Sequence, residues 1–167
     1  MLLDRLGGTD PKGDTTEGDT QSSALWKDVG SHWAKSAIGR WAAKGLFHDY
    51  PDDTFRPDQA VTRAELATIL SRWKNLSLPA IPVQLFADTN GHWAQSAIEA
   101  GHAAGWWNGY GDDSFRPDQS ITRAETIVIL NRVTGRIPAA EPIKLPWTDV
   151  APEHPFAGDI AVATATE

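Results

Sequence analysis

Two arginines stand where a helix should repel them. Arg63 and Arg123 each follow a threonine that opens a T-x-x-E sequence, Thr62 with Glu65 and Thr122 with Glu125. This spacing is a capping box: the hydroxyl accepts from the backbone N–H three residues on, and the glutamate reaches back. Each arginine then takes the first helical position, where its charge opposes the helix dipole at a cost of roughly 0.3–1 kcal/mol if exposed. Its recurrence points to a negative partner. Two kinds of partner remain open. One is an internal bridge to Asp58, Asp118 or a carboxylate of a neighbouring repeat. The other is an anion pocket, in which the guanidinium and first-turn N–H groups converge on a carboxylate or phosphate.

The remaining reactive side chains point away from catalysis and metals. Asp49, Asp52, Asp53, Asp112 and Asp113 raise calcium, but they lack EF-hand spacing and its terminal glutamate, so they read as turn residues. His32 and His92 recur beside a tryptophan at a helix start, which suits capping or packing better than metal ligation. There is no cysteine, no G-x-S-x-G, no phosphate loop and no carboxylate pair that can be placed across a cleft. The expectation is a non-enzyme without metal or cofactor.

What positions these residues is a repeat. Residues 26–72 align without a gap on 86–132, with 24 of 47 positions identical, among them HWA, SAI, FRPDQ and TRAE. A third copy begins at Trp147 as WTDVAPEHPFAGDI and breaks off. A fixed period means one structural unit stacked on itself, and such units usually bind rather than catalyse. Each full copy holds two helix signals around a turn-rich loop. The first runs over about 32–44, with Trp33, Ala37, Ile38 and Trp41 on one face and Gly45 as C-cap. Its counterpart runs over about 92–104, with Trp93, Ala97 and Ile98, closed by Gly105. The second helix starts at Thr62 or Thr122. Leu66, Ile69, Leu70 and Trp73 mark the buried face in the first copy. Ile127-Val128-Ile129-Leu130 makes the second copy's helix apolar round more of its circumference, and so more deeply buried. The fold expected is all-α.

The organisation predicted is a flexible N-terminal tether over 1–24, a repeat over 25–73, a connector over 74–84, a repeat over 85–134, a connector over 135–146 and a partial repeat over 147–167. The tether is rich in Gly, Asp, Thr and Ser and has too little apolar surface to offset its ordering entropy. Both connectors carry prolines. A net charge of −7 argues against nucleic acid as a general partner. No apolar run approaches the roughly 20 residues of a membrane span. The first residues lack the basic start and apolar stretch of a signal peptide, so the chain reads as a piece of something longer. Eight tryptophans are many for 167 residues, and core packing is the first expectation for each.

HWA…AI, the Tyr-x-Asp-x-(Thr/Ser)-Phe-Arg-Pro loop and TRAE, in order and at matching spacing, resemble the S-layer homology repeat. The resemblance spans Trp26–Arg132 fully and Trp147 to about Ala163 in part. It implies tandem helix–loop–helix repeats in a pseudo-threefold arrangement around a central helix bundle, here with the third repeat incomplete. It implies an extracellular anchoring module of a bacterial cell wall or S-layer. The partner implied is secondary cell-wall polysaccharide, often through an acidic pyruvylated sugar, or modified peptidoglycan, bound in grooves between repeats. The TRAE arginine is the family's groove cation and falls on Arg63 and Arg123; the loop glycine that admits sugar falls on Gly109, beside Tyr110. Asp49 replaces that glycine beside Tyr50, which favours Arg123 with Gly109 and Tyr110 over Arg63; Tyr50 and Trp93 complete the implied ligand-binding set. The incomplete third repeat leaves an apolar face open to a partner chain or to self-association, the competing assembly reading.

Overall fold

A computed structural model describes residues 26–47, 50–140 and 145–165. The expected tether and Asp49 therefore lie outside the described residues. The described residues form five helices: α1 (Lys35–Ala42), α2 (Arg63–Trp73), α3 (Gln95–Ala103), α4 (Arg123–Thr134) and α5 (Ala157–Thr164). Among them the sole extended pairing is one antiparallel bridge between Thr62 and Ser120, so the all-α expectation holds. No helix among them is long and apolar enough to cross a membrane. The chain divides into two compact units, one ending at Gln59 and the other starting at Ala60.

In the first unit α1 is short. Its N-terminus has no side-chain cap; instead the His32 carbonyl accepts from the Lys35 N–H, and His32 Nδ1 accepts from the Ala34 N–H at 3.2 Å. Gly45, in the left-handed region at φ +69, closes the helix by donating to the Ala42 carbonyl. Trp26, Val29 and Ile38 form the core, with Phe47 and Phe55 packed on it. The loop is fixed to that core by Asp28, whose carboxylate accepts from the backbone N–H groups of Phe55 and Arg56 at 2.9 and 2.7 Å. Helix periodicity placed Trp33 on the apolar face; it is 75% exposed. The reason is that Trp33 precedes the first residue of α1, where the helical period does not yet apply.

In the second unit α2 packs on α3, and α4 on α5. Both predicted capping boxes are complete: Thr62 accepts from Glu65 and Thr122 from Glu125, and each glutamate returns the bond to its threonine N–H. Leu66 and Leu70 are buried, while Ile69 and Trp73 are half-buried. Ile127 through Leu130 are all buried, as the wide apolar circumference of α4 requires. Trp107 seals the end of α3, its Nε1 donating to the Ile98 carbonyl at 2.9 Å while its ring covers Gly101. Buried Asn131 ties α5 to α4 by donating to both the carbonyl and carboxylate of Asp159. The connector before α3 is held by Glu99, which is 3% exposed and accepts from the N–H groups of Val83 and Gln84 at 2.7 and 2.8 Å. Like Trp33, Trp93 lies outside its helix and is 64% exposed.

Candidate functional site: a cation at the start of α2

Arg63 is 7% exposed and answers the dipole problem with main-chain oxygen. Its backbone N–H donates to the Gln119 carbonyl, and that of Ala64 to the Pro117 carbonyl, each at 2.9 Å. Its Nε donates to the Phe115 carbonyl at 2.8 Å. Three carbonyls from the FRPDQ segment of the second copy thus converge on the first turn of α2. They supply the negative charge density that the helix dipole and the guanidinium both need.

Aromatic rings complete the seat. The guanidinium carbon lies 4.6 Å from the Phe115 ring centroid and 5.0 Å from that of Tyr110. Its Nη1 reaches Glu125 Oε1 at 3.6 Å, and the Tyr110 hydroxyl reaches the same oxygen at 3.5 Å. Burial works against ionisation of Glu125. The backbone and hydroxyl of Thr122, the charge of Arg63 and the Tyr110 hydroxyl outweigh it, holding that carboxyl below its usual 4.5. Arg63 Nη2 has no hydrogen-bond partner among the described residues, and no fully buried side-chain nitrogen or oxygen there lacks one, so Nη2 reaches solvent.

A second guanidinium borders the same tyrosine. Arg116 lies 3.9 Å over the Tyr110 ring and donates from Nη2 to Asp112 at 3.1 Å. The first unit repeats this set: Arg56 lies 3.9 Å over Tyr50 and donates to Asp52 at 3.1 Å. Arg56 and Arg116 both adopt left-handed backbone, φ +56 and +57, which side chains other than glycine rarely take. The Asp28 and Asp88 carboxylates hold them there by accepting their N–H groups at 2.7 Å. The Asp52 carboxyl is pulled down to about 2, first by the Thr54 hydroxyl, against burial, and then by Arg56; Ser114 and Arg116 do the same for Asp112.

The sequence had grouped Arg123 with Gly109 and Tyr110. The structure brings Arg63, Tyr110, Phe115, Arg116 and Glu125 together instead. Arg123 is exposed and has no side-chain partner among the described residues. Asp58 and Asp118, the candidate internal bridges, accept from His32 and His92 instead. The neighbouring-repeat carboxylate does exist, as Glu125. Gly109 also has a packing reason, since a Cβ there would strike the Phe86 ring and lie 2.7 Å from the Ser114 carbonyl. No local motif gives Asp28, Asp88 or Arg116 a role; identity in both copies is the signal the sequence carries for them.

The fold and site define an all-α tandem-repeat protein in which arginines sit against aromatic rings. The S-layer homology domain matches residues 27–67 and 85–127. The chain belongs to that family. It is similar to the cellulosome-anchoring protein of Acetivibrio thermocellus, 40% identical over 154 residues, which cover 89% of this chain and 34% of that protein. It is similar to cell surface glycoprotein 1 of the same organism, 37% identical over 151 residues, covering 84% and 6% respectively. S-layer protein EA1 of Bacillus anthracis is 32% identical over 93 residues, covering 56% and 11%. The chain thus spans about a third of the first relative's length and a smaller share of the other two.

Proposed function

We propose that this chain is a non-catalytic anchoring module that holds a bacterial surface protein to the cell envelope by binding an acidic wall polysaccharide. The observation that carries the reading is the seat of Arg63. Its Nε is consumed by the Phe115 carbonyl, while Nη2 stays open to solvent near Tyr110, a ring that Arg116 also borders. A carboxylate on a sugar, such as a pyruvyl group, would accept from Nη2 while the ring lies against Tyr110. Arg123, exposed at the first turn of α4, is a second cation for the polymer. Tyr50 with Arg56 repeats the aromatic half of the arrangement. Membership of the S-layer homology family and likeness to a cellulosome-anchoring protein support the placement at the extracellular wall or S-layer. Modified peptidoglycan is the alternative polymer.

The test is co-sedimentation with native bacterial wall sacculi and with sacculi stripped of their polysaccharide. Binding should be lost on stripping and weakened by Tyr110→Ala and Arg123→Ala. Failure to sediment with native walls, or indifference to both substitutions, would refute the proposal.

A further inference from the structure

We propose that each full repeat carries a second saccharide site, for the face of a neutral pyranose, built from Trp33, His32 and Asp58 in the first copy and Trp93, His92 and Asp118 in the second. The proposal rests on the polysaccharide-binding reading above and adds to it a site of opposite electrostatic character.

The observation is an aromatic ring held outward by a locked histidine. Trp33 and Trp93 are 75% and 64% exposed, whereas Trp26, Trp41, Trp106 and Trp107 are buried. Leaving a large indole in water twice, at equivalent positions, opposes the hydrophobic effect and needs a reason. Each indole sits beside the preceding histidine, with ring centroids 5.4 and 5.3 Å apart.

Both nitrogens of each imidazole are engaged. Nδ1 accepts from the N–H of Ala34 at 3.2 Å, or of Ala94 at 3.1 Å. The neutral ring must then carry its proton on Nε2, which donates to Asp58 Oδ1 at 3.2 Å or Asp118 Oδ1 at 3.3 Å. The imidazole is thereby fixed, and so is the wall against which the indole rests.

The aspartate supplies the polar half. Its side chain is 85% exposed at Asp58 and 83% at Asp118, and Oδ2 has no partner among the described residues. An exposed ring face on one side of the fixed imidazole and a free carboxylate oxygen on its Nε2 suit a sugar. Axial C–H groups cover the indole while ring hydroxyls donate to Oδ2. The same carboxylate repels an acidic sugar, so the ligand is neutral, unlike that of the Arg63 site. The third copy keeps His154, whose Nδ1 accepts from the Phe156 N–H at 3.1 Å, but it has Pro155 where the others have tryptophan. It therefore lacks the platform and serves as an internal contrast.

Two measurements on the full chain test this. Titration with tetra-N-acetylchitotetraose, a neutral pyranose oligomer, is followed through the indole N–H resonances. Those of Trp33 and Trp93 should shift, while those of the four buried tryptophans stay in place. The double variant Trp33→Ala/Trp93→Ala should keep its circular dichroism and melting curve yet lose affinity for native walls by about tenfold. Silent indoles, or wall affinity equal to wild type, overturn this proposal and leave the anchoring reading standing. A wild-type chain that does not sediment with walls overturns the anchoring reading itself.

Discussion

The Nε of Arg63 and the carbonyl oxygen of Phe115, 2.8 Å apart, tie the first residue of α2 to the loop that precedes α4. The bond joins residues 52 apart in sequence, across two copies of the repeat. Arg63 is therefore a structural part of the second unit as well as a candidate ligand contact.

Replacing Arg63 should consequently cost stability, which replacing Arg123 should not. Arg63→Ala removes a charged donor from a buried carbonyl and empties the space between the Tyr110 and Phe115 rings. A loss of about 2–3 kcal/mol is expected. Arg63→Lys should recover little, because an ammonium lacks the Nε fork that points at Phe115 while Nη1 points at Glu125. Arg123→Ala should fall within about 0.5 kcal/mol of wild type, as exposed positions without partners do. Urea unfolding of the three variants would decide; equal losses at 63 and 123 would contradict the geometry.

The two capping boxes permit a cleaner comparison. Thr62→Ala and Thr122→Ala each remove an acceptor for the N3 backbone N–H, with an expected loss of about 1 kcal/mol. Glu125 serves its own cap and also faces Arg63 at 3.6 Å. Glu125→Gln should therefore cost about 0.5–1 kcal/mol beyond the loss of its cap bond. A double-mutant cycle with Arg63 measures that excess directly, and zero coupling would remove Glu125 from the site.

The contrast between what could and could not be read from the chain follows the range of each interaction. Thr62 with Glu65 and Thr122 with Glu125 act over three residues, so spacing alone revealed them. Ile127–Leu130 announced its burial by composition, because burial round a whole helix needs no partner to be named. The seat of Arg63 depends on oxygens about fifty residues away, and neither helix propensity nor charge pattern carries that distance. Trp33 and Trp93 misled because helical spacing was extended past the first residue of each helix. The pairing of Asp28 with Phe55 and of Asp88 with Phe115 spans 27 residues in both copies. It was present as repeated identity, without any local motif to give it a role.

Gly109 provides a packing test that separates structure from ligand access. Its missing Cβ leaves room for the Phe86 ring and the Ser114 carbonyl, so Gly109→Ala forces one of them to move. Overpacking of this kind costs about 1–3 kcal/mol. Gly111→Ala is the control, since a Cβ there has no neighbour within 4 Å. Thermal melts should show Gly109→Ala clearly destabilised against Gly111→Ala. Equal melting temperatures would show that packing does not require glycine at this position.

Glu99 should contribute to how the second unit responds to acid, beside the depressed carboxyls of Glu125 and Asp112. The first copy has Gly39 at this position, so the device belongs to the second repeat alone. Burial disfavours the charged carboxylate, but the N–H of Val83, the Gln95 amide and the N–H groups of Gln84 and Leu85 outweigh it and hold the carboxyl below 4.5. A carboxyl depressed in the folded state stabilises fully above its unfolded value and loses that contribution as pH falls through its folded value. Stability should therefore drop as pH falls below about 4.5, as connector residues 83 and 84 lose their acceptors. Glu99→Gln presents an N–H₂ group to N–H groups and should cost about 1–3 kcal/mol at neutral pH. It should also remove this residue's share of the acid dependence, leaving a flatter stability curve below about pH 4.5. Urea midpoints of both proteins across the acid range measure the difference, and parallel curves would show that Glu99 does not contribute to it.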